Sequence, residues 1–402
     1  TESLAAVGIV TTFLSMLIWI LGQTRSAISS LVSQYLGANN LDAIKTLPAQ
    51  AILLITSLSI VIIILTYPFA EYIFKLYNAS DIILDYSVNY YRIRVFGFPF
   101  TLFTIAVFGT FRGLQNTFYP MIIAIVGTVI NIILDVILVY GIEGLLPAMH
   151  IEGAGYASVI AQLIMALLSI YYLLVKTTFS LKVSLTLNKE IKTFSLMILN
   201  LFVRTLALNI TLYYASAFST SYGKEYIAAY TIAINLWFLG AFIIDGYSSA
   251  GNILSGKLFG QENYQALLRL SSKLIKYGII LGISMAIIGG LFYEIIGTVF
   301  TKDPKVLHEF YQVFWIILLM QPLCALAFIF DGVFKGLGKM KTLRNVLLLS
   351  TFLVFVPVLF FLDYLDYKLY GIFIAFTLWI MVRGFPLIII FRKEFLPLSQ
   401  KG

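Results

Sequence analysis

TRSAISSLVSQYLGANNLDA at residues 24–43 and YSSAGNILSGKLFGQENYQA at residues 247–266 are two copies of one segment. At a constant offset of 223 and without a gap, Ser26, Ala27, Leu31, Gly37, Asn40 and Ala43 fall on Ser249, Ala250, Leu254, Gly260, Asn263 and Ala266. Upstream, Ala5, Ala6 and Ile9 fall on Ala228, Ala229 and Ile232. The offset survives the long stretch that follows: Pro99 lands on Pro322, Gly109 on Gly332, Phe111 on Phe334, Arg112 on Lys335, Gly113 on Gly336 and Leu114 on Leu337. Apolar chains match by chance at Leu and Ile, but not repeatedly at Gly, Pro, Ser and Asn. A duplicated set of hydrophobic helices is the signature of a membrane transporter, with its site where the halves meet.

The solvent of this chain is lipid. It is 60% hydrophobic and 11% charged, with a mean hydropathy of +0.95, and such a composition excludes an ordinary soluble domain. Apolar runs long enough to cross a roughly 30 Å hydrocarbon core as helices recur at 4–36, 48–76, 88–115, 118–141, 154–176, 191–219, 225–258, 266–300, 306–337, 343–362 and 369–392. The period-2 pattern of an outer-membrane barrel is absent. The single cysteine, Cys324, excludes an internal disulfide, and His150 and His308 sit in loops.

The net charge of +8 is distributed by topology, not gathered into a nucleic-acid surface. Lysine and arginine collect in alternate loops (Lys176, Lys182, Lys189 and Lys192; Lys335, Lys339, Lys341 and Arg344; Arg392 and Lys393), and acids in the loops between them (Glu71, Asp81 and Asp85; Glu294, Asp303 and Glu309; Asp363 and Asp366). Positive-inside bias places the 177–190 linker and the C-terminus in the cytoplasm of a multi-pass cell-membrane protein. The linker separates an N-lobe (1–176) from a C-lobe (191–402), both all-helical. The helix at 191–219 has no counterpart in the first half, because the offset of 223 would place it before residue 1. The sequence therefore leads us to expect a further helix ahead of residue 1, and twelve spans in the complete protein.

Charges at bilayer depth are costly, and each is by default a functional hypothesis. The spans hold Arg25, Asp135, Arg204, Asp245, Asp331 and Arg383. Arg92 and Arg94, near the outer mouth of their helix, are expected to snorkel. Asn131 and Asp135, spaced i,i+4 in NIILD, share one face in the outer half of their span. A carboxylate beside an amide oxygen can hold a proton or ligate sodium. The second half has Val354 and Val358 at these positions, so this polarity belongs to one lobe alone; a carboxylate hydrogen-bonded across helices is the structural alternative. Asp245 replaces Gly22 of the first half and Asp331 replaces Phe108, while Arg204 lies in the first helix of the C-lobe. Two readings stay open for these three, a structural ion-pair network or a substrate or coupling site. Arg25 and Arg383, in the inner halves of their helices, are read as structural and solvated by a cavity or the interface.

FRGLQNTFYP, NIILDVILVYG and GAGYASVIAQ, with RTLALN, FIIDGYSSAGNILSGKLFG, FDGVFKG and LRN, resemble the multidrug and toxic compound extrusion (MATE) family, in its DinF-like branch. The resemblance covers essentially the whole chain. It implies twelve helices in two six-helix lobes, and export of amphipathic, often cationic, compounds in exchange for protons or sodium. It places Asn131 and Asp135 at the family's N-lobe cation site, with Ser158 supplying a hydroxyl; the remaining key acid of that site would lie on the helix expected before residue 1. Arg204, Asp245 and Asp331 fit the DinF-like pattern.

The expected function is thus secondary active export by alternating access. No cofactor is expected, only a coupling proton or sodium ion, and no metal beyond sodium at Asp135 and Asn131. The partners expected are small amphipathic molecules and the bilayer, for a monomer. The runner-up is a flippase for a lipid-linked saccharide, whose phosphates would call for several cations facing the cavity. An enzyme is not expected: no span holds a histidine, and there is no thiol pair, phosphate loop or zinc motif.

Overall fold

A computed structural model describes residues 2–142, 146–184 and 186–400; residue 1 and residues 401–402, the outer ends of the two expected lobes, lie outside it. Among the described residues, eleven helices are long and apolar enough to span a membrane. They are α1 (Glu2–Gly37), α2 (Leu41–Thr66), α3 (Asp81–Gly113), α4 (Phe118–Tyr140) and α5 (His150–Lys176). After the linker come α6 (Ile191–Ser221), α7 (Lys224–Gly260), α8 (Tyr264–Leu291), α9 (Pro304–Gly336), α10 (Met340–Tyr364) and α11 (Lys368–Ser399). No strand occurs among the described residues.

Two expected spans end in a separate short helix. The run 48–76 ends as a helix at Thr66, because Pro68 lacks the N–H that would continue the ladder, and a short helix, Ala70–Leu76, follows. The run 266–300 stops at Leu291, directly after Gly289 and Gly290, where two glycines raise the entropic cost of another turn; Tyr293–Phe300 is a separate helix.

The chain forms two compact units, Thr1–Ile198 and Leu199–Gly402. The segment after α5 is fastened to the first. Gln50 Nε2 donates to the main-chain oxygens of Ser184 (3.1 Å) and Thr186 (2.8 Å), and its Oε1 accepts from the Asn188 N–H at 2.9 Å. Tyr35 donates to Glu190 at 2.9 Å. In the same unit Phe13, Phe74 and Tyr91 meet edge to face, with centroids 5.3–6.0 Å apart, the geometry the ring quadrupoles favour. They tie α1, the short helix after α2, and α3 into one core.

The duplicated sequence is a duplicated contact. On α3, a Cβ at Gly109 would lie 2.7 Å from the Arg25 main-chain oxygen, and one at Gly113 would lie 3.0 Å from the Ser29 oxygen and press on Val32. On α9, a Cβ at Gly332 would strike the Ser248 oxygen, and one at Gly336 the Asn252 oxygen and the Ser255 hydroxyl. Ser248, Asn252 and Ser255 are Arg25, Ser29 and Val32 carried forward by the offset of 223. Small residues that let backbones touch are how helices associate in lipid, where apolar burial supplies no net drive.

In the second unit α9 is the most buried span. Opposite it α10 loosens into a π-helical stretch, Ser350–Phe355. There the Thr351 hydroxyl lies 3.1 Å from that of Thr211 on α6 and accepts from Trp379 Nε1 of α11 at 3.1 Å.

Candidate functional site

In the first unit the polar residues converge from α3, α4 and α5. Gly127 of α4 abuts Met165 of α5, and Gly153 of α5 abuts the Leu138 main chain of α4. Asn131 and Asp135 continue the Gly127 face one and two turns on, so both lie on the α5 side of α4 and both are half-buried. Asn131 Nδ2 is buried without an acceptor. Ser158, half-buried on α5, makes no hydrogen bond to either residue. One turn beyond it, Gln162 Oε1 accepts from Arg94 Nη1 of α3 at 3.0 Å.

Arg92 is exposed with its guanidinium 5.7 Å from the Tyr67 ring centroid, whereas Arg94 is half-buried against Gln162. Residues two apart on a helix point some 200° apart, and Arg94 consequently turns inward. That spacing was the available signal for an inward-facing cation on α3.

In the second unit the structure pairs Arg204 with Asp331 and leaves Asp245 out. Asp331 Oδ2 accepts from Arg204 Nη2 at 2.5 Å and from Arg383 Nη2 at 3.4 Å, with Lys335 Nζ also at 3.4 Å. The four side chains are between 6% and 11% exposed. Arg383 is thus buried and paired rather than solvated by a cavity. Lys335, expected among the loop charges, closes the last turn of α9 onto Asp331, i to i+4. The Arg383 guanidinium carbon also lies 4.8 Å from the Phe328 centroid and 5.3 Å from that of Trp379, placing cation against aromatic face.

Asp245 belongs to a different surface. It is exposed on α7 and makes no ion pair among the described residues; the Ser249 hydroxyl donates to its main-chain oxygen at 2.9 Å. Phe238 and Phe242, stacked with centroids 6.1 Å apart, lie on the same helical face at i−7 and i−3. An exposed acid beyond a pair of aromatic rings is suited chemically to an organic cation.

Against known proteins, the sequence profile of the MatE family matches residues 1–137 and 197–361. The chain belongs to the MatE family. Members of this family are transporters, not enzymes. The chain is 25% identical over 401 residues to DNA damage-inducible protein F of Escherichia coli K12, covering 96% of this chain and 82% of that protein. With Protein DETOXIFICATION 42 of Arabidopsis thaliana it shares 29% identity over 251 residues, 62% of this chain and 47% of the relative. It thus spans about half the length of the plant relatives it matches. The fold is that of a solved structure described as MATE in the bent conformation, with a TM-score of 0.91 and 20% identity over 100% of this chain and 89% of that one.

Proposed function

We propose that this protein is a secondary active exporter that exchanges amphipathic organic compounds, cations among them, for protons or sodium by alternating access. The observation that carries the reading is the Asn131–Asp135 pair, an acid and an amide one turn apart on one face within a span. Desolvated groups of this kind persist in membranes where they bind and release something. Multidrug export is also the printed role of a relative, the Multidrug export protein MepA of Staphylococcus aureus, 22% identical over 83% of this chain.

In this reading Asp135 takes the coupling ion, Asn131 and Ser158 supply oxygens, and Arg94 is the internal cation that stands near the acid when the ion leaves. Coupling then rests on a difference in ion affinity between two arrangements of the N-lobe (1–176), not on affinity alone. The Phe238–Phe242–Asp245 face of α7 takes the cationic substrate. Its C-terminus is cytoplasmic, following the loop charges, and it acts as a monomer.

The test is efflux of a lipophilic cationic dye from proteoliposomes holding the full-length protein, under an imposed proton or sodium gradient, for wild type and Asp135→Asn. Gradient-driven efflux that Asp135→Asn abolishes supports the reading and names the ion. Efflux undiminished in the variant refutes the role of Asp135. Absence of dye transport under either gradient, in folded protein, favours the flippase for a lipid-linked saccharide.

A further inference from the structure

The Arg204–Asp331–Lys335–Arg383 group is out of charge balance. Three cations meet one carboxylate, so the cluster carries two positive charges in excess in the interior of the second unit. Among the described residues Asp245 makes no ion pair, and Glu394 is held by Lys339. Two donors are also left over. Arg204 and Arg383, each more than nine-tenths buried, have an Nε–H with no acceptor, a state that natural interiors avoid. In Arg383 the ring faces of Phe328 and Trp379 lie against the guanidinium, which leaves recognition to its N–H edge.

From these features we infer that the α6–α9–α11 cluster binds a small anion of the carboxylate class. A planar oxyanion offers two oxygens to two guanidinium edges, the bidentate geometry that arginine selects, whereas a halide offers one centre. Bound there it supplies acceptors for the orphan N–H groups and cancels part of the excess charge. The site lies in the unit that lacks the Asn131–Asp135 pair. Two of its members have apolar counterparts in the first half, Phe108 for Asp331 and Ile160 for Arg383, while Lys335 falls on Arg112. The same chemistry serves a resident counter-ion or the acid group of a transported compound.

Trp379 makes the site readable. The full-length protein in nanodiscs is titrated with sodium bromide, a collisional quencher, at ionic strength held constant with sodium fluoride, and its tryptophan fluorescence is followed. We expect a saturable quenching component that sodium acetate relieves, that Trp379→Phe removes, and whose apparent affinity falls at least tenfold in Lys335→Gln. Lys335 is the most exposed member of the cluster, so that variant keeps the test open should Arg204→Gln fail to fold. Quenching that is linear in bromide and equal in wild type and Lys335→Gln overturns the site. Saturable quenching that acetate leaves untouched overturns the carboxylate class. Radiolabelled acetate then separates the two sources: retention through gradient-driven cycles marks a resident ion, and accumulation or loss with the gradient marks cargo. Every readout is one of binding or of acetate movement, so the failure of dye export leaves it standing.

Discussion

Asp331→Asn removes one charge, keeps the shape of the side chain, and leaves three buried cations without a carboxylate. Breaking a buried ion pair from one side costs about 3–5 kcal/mol, because the partner is left uncompensated. Both arginines and Lys335 lose their shared oxygen at once, which argues for the upper part of that range. At ~2–4 °C per kcal/mol for a body of about two hundred residues, the midpoint of thermal unfolding should fall by roughly 6–20 °C. The assay is intrinsic-fluorescence melting of purified protein in detergent, run beside Arg204→Gln and the double variant. Residues in one network are coupled by about 0.5–3 kcal/mol, so the double variant should lose less than the two single losses added. A midpoint for Asp331→Asn within ~2 °C of wild type, where about 1 kcal/mol would already show, refutes the reasoning. Strict additivity of the two variants does so equally.

Other perturbations probe the remaining features. Gly113→Val and Gly336→Val each drive a side chain into the neighbouring helix and should destabilise by about 1–3 kcal/mol or more; Gly290→Ala, with nothing near its Cβ position, should stay within ~0.5 kcal/mol of wild type, as melting would record. Arg94→Gln removes the cation near Asp135 and should lower the coupling-ion concentration at which dye efflux is half-maximal; an unchanged value separates Arg94 from coupling. Tyr222, in the loop before α7, donates to Asp363 at 2.6 Å. Its burial, then that bond and the charges of Asp363 and Asp366, push its phenol above its ordinary value of 10.0. Its contribution to stability is therefore whole below pH 10 and is lost as pH rises further, so a melting–pH profile should lose part of its alkaline limb in Tyr222→Phe.

The spans and the repeat were legible because each rests on composition or on main-chain geometry. Gly109, Gly113, Gly332 and Gly336 touch backbone, and a backbone contact admits no substitute that sequence comparison would miss. The loop charges and the Asn131–Asp135 face were likewise readable from spacing alone. Partners across helices were not. Arg204 and Asp331 are separated by 127 residues and Arg383 and Asp331 by 52, and nothing local distinguishes Asp331 from Asp245 as the acid that arginine meets. Rotation about the α7 axis decided it, by turning Asp245 outward. Lys335 was misread for the opposite reason: its place at a helix end suggests a solvated charge, while its four-residue spacing from Asp331 ties it inward. The break at Pro68 was visible in the sequence, but an unbroken apolar run masked it.

The main-chain joints at Gly109–Arg25 and Gly332–Ser248 have a consequence for how such a molecule can change. A joint made of carbonyl oxygen and missing side chain asks nothing of the residues around it beyond their leaving it room. Duplication therefore hands both descendants the same helix joint, while every side chain off the seam is free to drift. One half has turned that freedom into an acid and an amide, the other into a knot of basic groups, without either alteration disturbing the shared assembly. Side chains off the seam can accordingly change their chemistry while the seam itself stays as it is.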